Sequence, residues 1–210
     1  MTLMTGLGIM FVTGLLWAEY RAVERPRWLF KPLSSVAFLG VAMLAGPDTT
    51  YGQLIFLGLL LGAAGDVFLL SKAQVWFLAG LVSFLGGHIA YVVAFAQLTT
   101  LTDIGAEIII LPILLSGTVF FALRGYFGSL LIPVMAYFVV ITLMLIVAWG
   151  AFSPGERLTT LAVIGATAFY FSDLAVALDR FVQPAWNNAY WGLPLYYGGQ
   201  FALAWSIAYA

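Results

Sequence analysis

Two carboxylates stand where carboxylates are expensive. Asp66 lies inside the apolar run Leu-Gly-Leu-Leu-Leu-Gly-Ala-Ala-Gly-Asp-Val-Phe-Leu-Leu at 57–70, and Asp173, preceded by Ser172, is the one charge in residues 165–178. Putting an ionisable side chain into hydrocarbon costs about 2.5 kcal/mol even on the lenient insertion scale, so such groups face the interior of a bundle and mark a site or a relay. Two carboxyl groups held together in a low-dielectric site cannot easily both ionise; one keeps its proton while the other supplies negative charge. That pairing suits acid–base catalysis, and it equally suits a relay of protons. Which of the two is the acid is left open, because coupled groups titrate as a pair.

The other candidates are fewer. Ser172 beside Asp173 has no Gly-x-Ser-x-Gly elbow around it and no histidine close in sequence, so it reads as a hydrogen-bond partner and not as a nucleophile. His88, the single histidine, is either a packing residue held by a hydrogen bond or part of a proton relay, and it is not assigned to catalysis. Lys31 either binds a substrate phosphate or snorkels to the interface and anchors its helix. Tyr196, Tyr197 and Gln200 either shape a pocket or join helices. With one His, no Cys and two acids at hydrocarbon depth, no metal or other cofactor is expected.

Composition says what positions these residues. The 210 residues are 63% hydrophobic and 8% charged, with a mean hydropathy of +1.05, whereas a soluble domain carries about 25% charged residues. The chain is therefore an integral membrane protein. Its length allows about eight crossings of ~20 residues, so the expectation is an all-α polytopic bundle forming one membrane domain over residues 1–210. A formal net charge of −1 offers no basic footprint for nucleic acid.

Residues 1–18 are apolar with no preceding positive charge, which is unlike a secretory signal and predicts a retained first helix with its N-terminus outside. A second helix is expected to start at Lys31-Pro32, with proline in its first turn, and to end near Gly46-Pro47-Asp48. Further helices are expected at 51–70, 74–98, 104–123, 126–152 and 157–178, and an eighth from about Ala189. Gly58, Gly62 and Gly65 form a small-residue stripe beside Asp66, and Gly165, Ala168, Ser172 and Ala175 form another beside Asp173. Both acids should therefore face protein.

Alternate loops differ in charge. Arg21, Arg25, Arg27, Lys31, Lys72, Arg124 and Arg180 fall on one side and only Arg157 on the other, which by the positive-inside rule places both termini outside the cytoplasm. Asp66 and Asp173 then lie about five residues, or roughly 8 Å, from the cytoplasmic ends of their helices, at one level, with His88 nearer mid-membrane. A site there opens to the cytoplasmic leaflet. A multi-pass protein of a bacterial inner (cell) membrane is the expected setting.

Lys31-Pro32-Leu33, Gly65-Asp66-Val67-Phe68-Leu69, Phe77-x-x-Gly80-Leu81-x-x-Phe84 running into Gly87-His88-x-x-Tyr91, Gly165-Ala166-x-x-Phe169-x-x-Ser172-Asp173, and Tyr196-Tyr197-x-x-Gln200 occur in this order. Together they make the chain resemble the YhhN family, which includes the animal lysoplasmalogenases. The resemblance implies a membrane hydrolase whose substrate is a lysophospholipid, cleaved at the vinyl ether of lysoplasmalogen to a fatty aldehyde and a glycerophospho-ethanolamine or -choline. It also implies that Asp66 and Asp173 are the catalytic pair. A vinyl ether is opened by acid through an oxocarbenium ion, and glycosidases handle that kind of cation with two carboxyl groups. The competing reading is a proton-coupled carrier in which the two aspartates relay protons. Against it, the chain shows no repeated halves and no matched pair of broken helices.

Overall fold

The computed structural model describes residues 1–100, 102 and 104–210, and within them the chain is all-helical. The helices are α1 (Thr2–Tyr20), α2 (Glu24–Ala45), α3 (Thr50–Phe68), α4 (Gln74–Phe95), α5 (Ala106–Leu123), α6 (Leu131–Gly150), α7 (Arg157–Ala177) and α8 (Trp186–Ser206). Seven of them, all but α8, are long and apolar enough to cross a membrane. At 21 residues α8 has the length but less of the hydropathy, since Asn187, Asn188 and Gln200 interrupt it. It is instead largely enclosed by its neighbours.

Local chemistry explains most of the ends. Gly46 adopts a left-handed conformation (φ 79°) that closes α2, and the Thr49 hydroxyl accepts from the Gly52 amide at 3.0 Å to open α3. The carboxylate of Asp179 accepts from the Ala185 amide at 3.0 Å and from the Asn188 side chain at 3.3 Å, which starts α8 three residues ahead of Ala189. The sixth helix begins at Leu131 and not at Tyr126, because two short 3-10 turns, Arg124–Tyr126 and Gly128–Leu130, intervene and Gly128 has a φ of 53°.

The largest departure from expectation is α2. It begins at Glu24, so Lys31 is two turns inside the helix and Pro32 is an interior proline. Pro26, in the first turn, takes the position where a missing N–H costs nothing. Interior proline is tolerated in membrane helices because neighbouring groups satisfy the freed backbone.

α1 packs chiefly on α2, α3 on α4 and α7 on α8, while α8 also touches α1, α2 and α3. Small residues permit these approaches. A Cβ on Gly58 would strike the Tyr91 ring, one on Gly65 would strike Phe84, and one on Gly199 would lie 2.9 Å from the Gly165 carbonyl oxygen. At one end of the bundle Lys72 pairs with Glu24 at 3.6 Å, and Arg180 donates to the Lys72 carbonyl at 3.3 Å. The α1–α2, α3–α4 and α7–α8 connections therefore meet on one side.

Candidate functional site

Asp66 is one residue beyond Gly65 on the face of α3 that meets α4, α2 and α8, and its side chain is 2% exposed. Three groups converge on it. The Ser35 hydroxyl of α2 donates to Oδ2 at 2.6 Å, the Tyr196 hydroxyl of α8 donates to the same oxygen at 2.8 Å, and Lys31 Nζ stands 3.4 Å from Oδ1. Lys31 and Ser35 are one turn apart on α2, so a single helical face presents both the cation and a donor. A buried carboxyl group so supplied is held in one orientation.

A second layer holds the first. Gln200 donates from Nε2 to the Tyr196 hydroxyl at 3.1 Å and accepts at Oε1 from the Tyr91 hydroxyl at 2.9 Å. Tyr197 donates to the Lys31 carbonyl at 3.3 Å. A Cβ on Gly62 would collide with the Gln200 amide, so this glycine leaves the room in which the amide sits. Tyr196, Tyr197 and Gln200 are thus brought to Asp66 and Lys31 as a connected network.

Asp173 sits in a different environment. Its side chain is 18% exposed; Oδ2 accepts from the Tyr137 hydroxyl of α6 at 2.6 Å and lies 3.4 Å from His88 Nε2 of α4. The two carboxylates have no hydrogen-bond partner in common among the described residues; the rings of Tyr196 and Phe169 stack edge-on at 5.2 Å, and Phe169 lies 4.5 Å from the His88 imidazole. An aromatic wall thus joins the two polar nests. Ser172 is turned from both, donating to the Phe169 carbonyl at 2.7 Å.

The placement of His88 changes the depth expected from counting along helices. α3 stops two residues after Asp66, but α7 runs on through a π-helical turn, Leu178–Val182, which puts about 13 Å of helix beyond Asp173 at 1.5 Å per residue. Asp173 thereby reaches the level of His88. Phe84, Phe169, Tyr196 and Tyr197 fill the space between the nests with buried rings. A recess of about 560 Å³ lies instead at the far end of the bundle, beside Leu98, Arg157 and Tyr209.

Ser35 and Tyr137 belong to this site without being singled out by the sequence, and Tyr91 belongs to it although the sequence offers it only as part of a motif. Ser35 was legible as the i+4 neighbour of Lys31 once α2 starts at Glu24. Tyr137 and Thr142 carry the only side-chain hydroxyls in α6, which singles them out without naming a partner.

The YhhN family pattern matches residues 26–207, a span that contains every residue of both nests. The chain belongs to the YhhN family. Lysoplasmalogenase TMEM86A of Bos taurus is 31% identical over 187 residues, covering 85% of this chain and 72% of the relative. Its counterpart in Homo sapiens is 33% identical over 194 residues with the same two coverages, 85% and 72%. The lysoplasmalogenase homolog of Dictyostelium discoideum is 28% identical over 196 residues, covering 76% of this chain and 64% of that protein. No solved structure matches. This YhhN protein is accordingly a multi-pass membrane protein and a distant homologue of lysoplasmalogenases.

Proposed function

We propose that the protein hydrolyses the vinyl-ether bond of a lysoplasmalogen, releasing a fatty aldehyde and the glycerophospho-alcohol, with Asp173 as the acid and Asp66 as the fixed negative charge. The observation that carries this assignment is the unequal exposure of two membrane-buried carboxylates. Asp66 is sealed and ion-paired with Lys31, whereas Asp173 keeps part of its surface free to meet a substrate. Similarity to lysoplasmalogenases supplies the substrate class.

The chemistry needs one proton at the right carbon. Asp173 protonates the vinyl carbon beta to oxygen, and the positive charge that develops on the alpha carbon and ether oxygen is favoured by the oriented Asp66 carboxylate across the aromatic wall. Water adds to the alpha carbon and returns a proton to Asp173. The hemiacetal then collapses as its hydroxyl proton moves to the ether oxygen and the C–O bond breaks. Tyr196, Tyr197 and Gln200 keep Asp66 oriented throughout, and the closed rings keep bulk water from the cation.

We place the substrate headgroup at the end where Glu24, Lys72 and Arg180 meet, the side that carries seven of the eight Lys and Arg, and we assign that side to the cytoplasm. The rings must part to admit a lipid chain. Purified protein in lipid nanodiscs, given a lysoplasmalogen, is expected to release a fatty aldehyde, and to leave the saturated alkyl-ether analogue intact because that analogue has no carbon–carbon double bond to protonate. A folded preparation that releases no aldehyde, or that cleaves both lipids equally, overturns the proposal.

A further inference from the structure

His88 is 1% exposed, and the steps above make no use of it. Its Nδ1 lies 2.6 Å from the Phe84 carbonyl oxygen one turn back in α4. A carbonyl only accepts, so Nδ1 carries a hydrogen. The other nitrogen is then constrained. Nε2 is buried without a hydrogen-bond partner and stands 3.4 Å from Asp173 Oδ2. A bare Nε2 facing an ionised carboxylate oxygen would set two lone pairs against each other in a low-dielectric interior, where an unmatched polar group is most costly. One proton in the gap converts that conflict into an attraction, whether it resides on Nε2 or on Oδ2.

We propose that His88 and Asp173 hold a single proton in common between Nε2 and Oδ2, and that His88 is a positioning residue that keeps Asp173 supplied with the proton it donates. The role in turnover rests on the function proposed above; the shared proton does not. The other groups around the imidazole leave this couple to itself. Tyr137 of α6, 5.1 Å away ring to ring, gives its hydroxyl hydrogen to Asp173. Tyr91 of α4, at 6.4 Å, gives its own to Gln200, and Phe169 of α7 is uncharged. Asp173 is the charged side chain that pairs with the ring.

The proton balance closes over one turnover. Donation from Asp173 to the vinyl carbon leaves a neutral imidazole beside a carboxylate. The water that adds to the oxocarbenium carbon releases one proton, which the couple takes up. Collapse of the hemiacetal is internal, from hydroxyl to ether oxygen. The couple ends each cycle as it began.

Because His88 is the single histidine, labelling with ¹⁵N-histidine gives just two ring-nitrogen signals in the whole protein. Nδ1 is expected to stay protonated, and Nε2 at neutral pH to show a shared or full proton in the wild type and a bare nitrogen in Asp173→Ala. Identical Nε2 signals in the two proteins, or a bare Nδ1, would overturn the shared proton. For the role in turnover, His88→Gln keeps the side-chain size but cannot hold the proton. The variant should therefore lower kcat by about tenfold or more, with KM within about twofold. An unchanged kcat in folded His88→Gln removes His88 from the mechanism. Should the nitrogen signals behave as expected while the wild type releases no aldehyde, the fault lies with the proposed reaction and the shared proton stands.

Discussion

Asp66 and Asp173 are the same side chain near the same wall of aromatic rings, yet the partners around them differ in kind. Asp66 has a lysine, a serine and a tyrosine, all buried, and a second layer of Gln200, Tyr91 and Tyr197 behind them. Asp173 has one hydroxyl donor, an imidazole that can gain or lose a proton, and a partly exposed edge. Permanent donors fix a charge, whereas a titratable partner lets a charge change. The comparison teaches that the fold divides the two buried acids between unlike partners, one set permanent and the other titratable.

The sharpest test of that division is Asp173→Asn. It should lower aldehyde release by about 10² to 10⁴-fold, the usual worth of a general acid, while leaving thermal unfolding in detergent close to wild type. A large loss of stability with it would mean that Asp173 is structural, and the contrast with Asp66 would collapse.

The Asp66 nest should respond in the opposite manner. Asp66→Asn removes turnover as well, but it also strands Lys31, and breaking a buried pair from one side costs about 3–5 kcal/mol. Lys31→Ala strands Asp66 to a similar extent. The double change Asp66→Leu with Lys31→Met should recover most of the stability and none of the activity, read by reversible unfolding in mixed micelles and by aldehyde release. If Lys31 also grips the substrate phosphate, Lys31→Arg retains most of the binding and KM stays near wild type; a KM raised as far as in Lys31→Ala limits Lys31 to its pairing with Asp66.

Smaller effects sharpen the contrast. Tyr137→Phe removes the one hydroxyl that donates to Asp173, and a hydrogen bond to a charged group is worth about 1.5–3 kcal/mol, so kcat should fall by tenfold or more. Tyr196→Phe leaves Asp66 with Ser35 and Lys31 and should cost only a few-fold. Equal losses in the two variants would show that both carboxylates depend on their hydroxyls alike. Smallest of all is the response to chelators: activity in excess EDTA should equal that in buffer, and loss restored by zinc would call for ligands not assigned here.

Much of this was legible in the chain. The small-residue stripe at Gly58, Gly62 and Gly65 placed Asp66 against protein, because close helix approach needs small residues on the contact face. The start of α2 was not, since Lys31-Pro32 and Glu24-Arg25-Pro26 both carry a first-turn proline signal, and the choice of the later one hid Ser35. His88 looked distant from Asp173 because counting residues from helix ends treats those ends as level. The continuation of α7 to Val182 breaks that assumption.

By itself the sequence determined the membrane setting, the number of helices, the two acids and the family, because length and hydropathy act within each segment and the motifs lie along the chain. Tertiary structure alone decided which groups each acid meets. Ser35 and Tyr196 stand 31 and 130 positions from Asp66, and Tyr137 stands 36 from Asp173. Whether such residues touch depends on the rotation and relative height of separate helices. Those are set by packing between them and by no local signal in any one.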